Sequence, residues 1–123
     1  MPRSKAELIR SYFAAYQSGD RKVIEDGFAD DFTFTSPYDD AIDKATYFER
    51  CWPNNERIRQ FSIERIFEQD DAAFVTYRMM TKTGDDFRNT EFFVFVGDKL
   101  KHVDVYFGAS YRDGKFVKQK ADT

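Results

Sequence analysis

Residues Asn89–Gly108 contain two segments rich in apolar and aromatic residues, N-T-E-F-F-V-F-V-G-D-K-L-K-H-V-D-V-Y-F-G, separated by G-D-K. Both halves are rich in Phe, Val and Tyr, which favour pleated strands, and residues 97–99 between them are typical of a tight turn. The stretch therefore predicts a long antiparallel hairpin. Glu91 and Asp104 interrupt its apolar strands, where an ionised group is costly to bury without a partner.

The register of this hairpin decides which way its acidic side chains face. A two-residue turn at residues 98–99 places Glu91, Asp104 and His102 on one face of the sheet. A three-residue turn with a bulge moves Asp104 to the face opposite Glu91, because a slip by one residue reverses the sides of a strand. Facing carboxylates in an aromatic pocket would share a proton, and one pKa would rise toward a value suited to a general acid.

The composition indicates one compact domain spanning residues 1–123, with a single core. Fourteen Phe, seven Tyr and one Trp are more rings than an elongated repeat protein or a disordered chain would carry. They predict a roomy interior with aromatic walls. The net charge of -3 and the pI of about 5.2 argue against a nucleic-acid surface, which needs clustered Lys and Arg.

Cysteine usage and the other motifs exclude several kinds of site. Cys51 is the single cysteine, so the chain forms no internal disulfide, and a reducing, cytoplasmic location is expected. One Cys and one His leave no zinc site, and no glycine-rich phosphate loop is present, so we expect no cofactor. No apolar run reaches the ~20 residues of a membrane span, and the opening M-P-R-S-K carries no apolar signal region, so no membrane association is expected.

Two helices are predicted at the start of the chain. Ser4 followed by Glu7 forms a capping box, and apolar residues then recur at helical spacing until Gly19, a typical C-terminal stop. Tyr12 and Tyr16 lie on the buried face of this helix. Asp20 is expected to cap a second, shorter helix.

Strands and one further helix are predicted after residue 30. A strand is predicted at residues 31–36 and a turn after Pro37, followed by a helix capped by Asp43. A polar link at residues 54–56 leads to strands at 61–69 and 71–82 and then to the central hairpin. Residues 109–123 are polar and Lys-rich, and we expect a mobile tail there. Helices followed by strands indicate an α+β fold, a curved antiparallel sheet wrapped around the first helix as a cone with an open mouth.

Six segments of the chain form a recognisable pattern: Y-F-A-A-Y-Q-S-G-D at 12–20, F-A-D-D-F-T-F at 28–34, S-P-Y-D-D at 36–40, C-W-P at 51–53, R-N-T-E at 88–91 and V-D-V-Y-F-G at 103–108. With these segments the chain resembles the nuclear transport factor 2-like superfamily, and within it the SnoaL-like group of cone-shaped α+β barrels. The resemblance covers nearly the whole chain. It implies the fold more firmly than an activity, since this scaffold hosts isomerases, hydrolases, cyclases and non-catalytic modules.

The resemblance also suggests roles for particular residues. Ketosteroid isomerases of the superfamily use a tyrosine on the first helix and a strand acid to hold an oxyanion, with an aspartate base after the first strand. Tyr12 matches that tyrosine, whereas Ser36 stands at the base position and Phe93 near the acid position. A serine cannot abstract a carbon-bound proton, so steroid-type isomerisation is not implied. No Arg-x-Asp stands on a predicted strand, so limonene-epoxide-hydrolase chemistry is not implied either.

Glu91, Asp104 and Tyr12 are the candidate catalytic residues. Glu91 is expected inside the pocket, with Arg78 on the adjacent strand as its partner in an ion pair that is either structural or functional. Asp104 and His102 have an alternative place on the outer sheet face, which in the resembling fold packs against a second subunit. Tyr12 is either an oxyanion donor or a core ring with a satisfied hydroxyl.

Further residues are expected to line the pocket or its mouth as ligand-binding groups. They are Tyr16, Phe34, Ser36, Tyr38, Asp40, Trp52, Arg78 and Phe93. An aspartate in a turn more often bonds backbone amides than a ligand, and Trp52 is either a pocket wall or a plug.

Three hypotheses about function remain open from the sequence. The protein is a cofactor-free enzyme doing acid–base work on an apolar small molecule (isomerisation, hydration or cyclisation), or it is a ligand-binding or accessory module without turnover. The third possibility is that Phe and Trp side chains fill the pocket and the protein acts through a homodimer face. All three predict a homodimer through the outer sheet face.

Overall fold

The computed structural model describes residues 4–118, which form three α-helices, one 3₁₀-helix and seven strands. The helices are α1 (Lys5–Ser18), α2 (Arg21–Gly27), α3 (Lys44–Arg50) and the 3₁₀-helix Trp52–Arg57. The strands are β1 (Phe28–Ser36), β2 (Asp39–Asp43), β3 (Ile58–Gln69), β4 (Ala72–Thr81), β5 (Asp85–Val96), β6 (Lys99–Arg112) and β7 (Lys115–Val117).

The ends of α1 follow the predicted capping signals. The Ser4 hydroxyl accepts a hydrogen bond from the backbone N–H of Glu7 at 3.1 Å, and Gly19 takes the left-handed conformation that ends the helix (φ 80°). Ser4 thereby satisfies one of the N–H groups that have no partner in the first turn. Asp20 stands at the N-cap of α2, but its side chain makes no capping hydrogen bond.

The strands form one sheet in the order β2-β1-β6-β5-β4-β3, with β7 also paired to β6. Strands β3 to β6 are antiparallel neighbours, and β1 runs parallel to β6. Register shifts interrupt both the β3–β4 and the β5–β6 pairs. Such bulges bend strands and increase their twist, which lets the sheet curve without closing. The predicted α+β cone is confirmed.

The curved sheet has an inner face that packs on the helices and an outer face directed away from them. Opposite residues of neighbouring strands share a face, so Val75, Glu91 and Val105 form one inner row, beside a second inner row that contains Phe93. Phe13 of α1 packs against Phe93 with the ring centroids 6.4 Å apart. The core therefore lies between α1 and the inner face.

The hairpin of β5 and β6 turns one residue earlier than the predicted two-residue turn at residues 98–99. Val96 pairs with Lys99 across Gly97-Asp98, and a shift between Phe95 and Val94 then brings Phe92 opposite Asp104. The single extra residue in β6 is a bulge, and it reverses the side of Asp104 as the bulged alternative predicts. Glu91 consequently faces inward, and Asp104 lies on the outer face.

Two further segments differ from the predicted elements. Residues 39–43 form β2, paired with β1, where a turn and the approach to a helix were expected, and the link at 54–56 belongs to the 3₁₀-helix. Strand pairing also continues into the predicted tail, because β6 extends to Arg112 and pairs with β7. The rest of that tail, residues 119–123, lies outside the described residues.

Candidate active site

A cavity of about 800 Å³ opens between α1, the inner face of the sheet and the segment around β1 and β2. Its lining is mostly aromatic and aliphatic, and a few polar groups converge in it. The predicted site residues that line it are Tyr12, Tyr16, Phe34, Ser36, Tyr38, Glu91 and Phe93. A large apolar cavity with a few polar groups is the form that small-molecule sites usually take.

Glu91 is held in the cavity wall by a chain of hydrogen bonds. The Tyr77 hydroxyl donates to Glu91 Oε2 at 2.5 Å, and Asn89 Nδ2 donates to the Tyr77 oxygen at 3.2 Å. Asn89 therefore leaves the Tyr77 proton free to point at the carboxylate. Glu91 Oε1 has no hydrogen-bond partner among residues 4–118, and this oxygen remains accessible to solvent. It is the oxygen available to a ligand.

Burial raises the pKa of Glu91 from its ordinary 4.5 to about 7, and the hydrogen bond from Tyr77 opposes part of that rise. Val75 and Val105 flank it across the sheet, and no cation forms an ion pair with it among the described residues. The side chain keeps some accessible surface because it borders the cavity, while protein encloses it on its other sides. A carboxyl with this pKa is present in both protonation states near neutral pH.

The other tyrosines of the cavity use their hydroxyls internally. Tyr16 donates to the carbonyl of Cys51 at 2.6 Å, and Tyr12 donates to the carbonyl of Gly27 at 3.3 Å. Burial raises the pKa of Tyr16, with smaller contributions from Cys51 and Glu91. Both rings therefore contribute walls, and their hydroxyl protons are directed at the backbone.

A second carboxylate borders the cavity at the start of β2. Asp39 accepts a hydrogen bond from the Ser36 hydroxyl at 3.1 Å and lies 2.9 Å from Arg50, and its side chain is only 8% exposed. Burial, followed by the charge of Asp39, raises the pKa of the neighbouring Cys51 thiol to about 11. The thiol therefore stays protonated at neutral pH, as expected for a cysteine that is not a nucleophile.

Asp104 does not share a site with Glu91. It lies on the outer face, where His102 Nε2 is 3.0 Å from its Oδ1 and His102 Nδ1 is 2.7 Å from the Thr33 hydroxyl. The expected pairing of the two carboxylates fails because the bulge in β6 reverses the side on which Asp104 stands.

Three of the expected ligand-binding residues also lie away from the cavity. Arg78 pairs with Asp86 at 3.1 Å on the outer face, so it does not neutralise Glu91. Asp40 is exposed, and its neighbour Asp39 takes the inward position. Trp52 packs edge-on behind Tyr16, with centroids 5.2 Å apart, and supports the wall without lining it.

Tyr77 and Asn89 were not predicted as site residues, although the strand period pointed to both. Asn89, Glu91 and Phe93 alternate along β5, so an inward Glu91 requires an inward Asn89. Tyr77 follows Ala73 and Val75 on the inward side of β4 in the same way. Their contact depends on the pairing of Tyr77 with Asn89 across the two strands, which the sequence alone did not reveal.

Metal and membrane features are missing from the part of the chain that the structure describes. Residues 4–118 contain no group of three or more His, Cys, Asp or Glu side chains placed to hold a metal ion. None of the helices in this range is both long enough and apolar enough to span a bilayer.

Comparison with known families agrees with the observed fold. The sequence profile of the SnoaL-like domain matches residues 9–103, more than half of the chain. The chain belongs to the SnoaL-like domain family. The predicted resemblance is thereby confirmed. No curated protein matches the chain in a sequence search.

Solved structures show the same fold at low sequence identity. An NTF2-like protein of unknown function from Cytophaga hutchinsonii superposes with a TM-score of 0.71 at 14% identity, over 87% of this chain and 92% of that one. A candidate SnoaL-like polyketide cyclase from a Jannaschia species gives 0.69 at 15% identity, over 87% and 90%. A candidate polyketide cyclase from Sinorhizobium meliloti gives 0.66 at 15% identity, over 81% and 94%. At these identities, the likeness establishes the fold alone.

Proposed function

We propose that this SnoaL-like protein is a cofactor-free enzyme that moves a proton on an apolar small molecule, with Glu91 as the general acid or base. The observation that carries the proposal is the open Glu91 Oε1 in an aromatic cavity, on a carboxyl whose pKa burial raises to about 7. Proton transfer by a positioned group is most effective when its pKa lies near the working pH.

Isomerisation, hydration and cyclisation are the reaction types that this arrangement fits. Each needs a proton taken from one atom and returned to another, and a single carboxyl can do both in turn. Tyr77 holds the carboxyl in place through Oε2, so the other oxygen keeps a fixed position in the cavity. The two neighbours named as candidate polyketide cyclases support cyclisation as one of these types.

A proton-abstraction probe tests the proposal without the natural substrate. In 5-nitrobenzisoxazole, the base removes the proton on C3, the C–H electron pair completes a nitrile, and the N–O bond breaks to release a coloured cyanonitrophenolate. We expect turnover that rises with pH and levels off above about pH 7, because the ionised Glu91 is the base. Glu91→Gln should reduce the rate at least about tenfold, since positioned bases contribute factors of that size or more.

Glu64→Gln is the matched control, because Glu64 is an exposed carboxylate paired with Arg88 and does not line the cavity. It should leave the rate unchanged. A wild-type rate no greater than that of Glu91→Gln would contradict the proposal, and so would an equal loss in both variants.

The alternative is a binding module without turnover, and the tyrosines favour it. Tyr12 and Tyr16 direct their hydroxyls to backbone carbonyls, so neither is free to stabilise an oxyanion on a ligand. A module of this kind would bind apolar molecules in the cavity and give no probe turnover above that of Glu91→Gln.

We also propose that the protein is a homodimer through the outer face and works in the cytoplasm. Phe67, Phe74 and Phe92 stand side by side across β3, β4 and β5 on that face, and Phe67 and Phe74 are 71% and 48% exposed. A second copy of the same face is the partner that would cover this row. The single cysteine of the chain, Cys51, is consistent with a reducing compartment.

A further inference from the structure

The acidic and basic residues that line the cavity differ in their exposure to solvent. Asp39 and Glu91 are enclosed, whereas the charged lining residues that are exposed within residues 4–118 are all basic: Arg57, Arg112 and Lys118. They come from the end of the 3₁₀-helix, the end of β6 and the residue after β7. The mouth is therefore locally basic on a chain whose net charge is -3.

The carboxylates near the mouth leave part of this positive charge uncompensated. Arg112 Nε lies 2.7 Å from Asp85 Oδ1, and the same carboxylate feels the charge of Arg57, so two guanidinium groups share Asp85. Asp113 also acts on Arg112 from the turn between β6 and β7. Neither acid lines the cavity, whereas Arg57 and Arg112 do.

Arg57 is the cation with the most unused binding capacity. Its side chain has no hydrogen bond or salt bridge to any residue between 4 and 118, although a guanidinium carries five N–H donors. Exposed aromatic rings adjoin the mouth, with Tyr38 and Phe107 in contact at a centroid distance of 5.6 Å. A planar anion attached to an apolar body fits both features, since guanidinium groups bind carboxylates in a fork geometry.

We propose that the ligand of this cavity is an apolar carboxylic acid, bound with its carboxylate at Arg57 and Arg112 and its apolar body directed inward to Glu91. The inference rests on the proposed function for the cavity as the reaction site, and it names the class of molecule that enters. An anion placed deeper would lie beside Glu91, away from the exposed cations, and would be repelled whenever Glu91 is ionised. The reacting atoms therefore lie at the end of the ligand remote from its carboxylate.

A matched pair of probes tests this assignment. 2-Naphthylacetate and 2-naphthylacetamide have nearly the same shape, and they differ in the negative charge. Each is competed against the neutral fluorescent probe N-phenyl-1-naphthylamine at low and high salt. We expect the acid to bind about fivefold more tightly than the amide at low salt, and the preference to shrink at high salt.

Variants identify the cations responsible. Arg57→Gln, and Arg57→Gln combined with Arg112→Gln, should remove the preference for the acid while the amide binds as before. Arg65→Gln is the control for the single variant, because Arg65 is an exposed β3 residue that does not line the cavity, and the substitution changes the net charge as much as Arg57→Gln does. It should keep the preference.

The outcomes separate this proposal from the one on which it rests. Equal binding of acid and amide to the wild type, or a preference that survives the double variant, would overturn the acid assignment and leave the Glu91 proposal standing. Failure of all three aromatic probes to bind, together with 5-nitrobenzisoxazole turnover no greater than that of Glu91→Gln, would overturn both.

Discussion

Glu91 is an isolated carboxyl in an apolar wall, and this placement has a thermodynamic cost. Among the described residues, it has a single hydrogen-bond donor, Tyr77, and no ion-pair partner. Burial of an ionised carboxylate without a cation favours the protonated form, so the pKa rises to about 7. The same feature that lowers stability provides a group able to exchange protons near neutral pH.

The pH dependence of stability should therefore carry the signature of Glu91. Its pKa is raised on folding from 4.5 to about 7, so its contribution is fully present below about pH 4.5 and is lost as the pH rises through about 7. We expect the free energy of unfolding to fall by about 3 kcal/mol across this window relative to Glu91→Gln. Urea unfolding at a series of pH values measures the difference.

Glu64→Gln serves as the control in this comparison as well. Asp31, Asp43 and Asp85 have lowered pKa values, because side-chain hydrogen bonds favour their ionised forms, and they act in the opposite direction in all three proteins. These three contributions cancel when the free energy of unfolding of Glu91→Gln is subtracted from that of the wild type. A wild type that tracks Glu91→Gln at every pH would show that Glu91 is not enclosed.

The elements were predictable where a local signal defined them. The Ser4 cap and the Gly19 stop fixed α1, and the two-residue period of Val75 and Tyr77 matched an inward face of β4. The β5–β6 register was not predictable in the same way, because the extra residue near Lys101 follows from pairing across the sheet. That one residue decides whether Asp104 meets Glu91, so the fold could be predicted more completely than the site.

The backbones of β5 and β6 approach closely at one glycine, and a substitution there tests their pairing. Gly108 lies beside the register shift between Phe87 and Asn89, where an added Cβ would stand 2.7 Å from the carbonyl oxygen of Arg88. Gly108→Ala should therefore force the strands apart and destabilise the fold by about 1–3 kcal/mol. Thermal unfolding checks this, with Ser110→Ala in the same strand as the control. An unchanged melting temperature for Gly108→Ala would contradict the observed register.

The outer face of the sheet, on the side away from the cavity, carries an exposed aromatic surface. Phe74 and Phe92 pack against each other on the outer face with centroids 4.7 Å apart and ring planes tilted by 43°, and Phe67 stands beside them. Exposed apolar clusters of this kind usually mark an interface. This surface and the cavity are separate, since opposite sides of the same strands carry them.

Sedimentation tests the proposed homodimer. We expect wild type to sediment with the mass of two chains and Phe74→Arg with the mass of one, because a cation in the centre of the face cannot be buried without a partner. Val23→Arg is the control, since Val23 is an exposed apolar residue on α2. A monomeric wild type, or a Phe74→Arg variant that stays dimeric, would contradict this interface.

The proposed chemistry requires that the cavity of this SnoaL-like protein contain one carboxyl that ionises near neutral pH. Carbon-13 NMR of the side-chain carboxyls across a pH titration measures this directly, and Glu91→Gln assigns the resonance. We predict a single glutamate resonance that titrates at about 7 and is missing from the variant. If the resonance lost in Glu91→Gln instead titrates near 4.5, the ordinary value for glutamate, Glu91 is solvated and the acid–base account is contradicted.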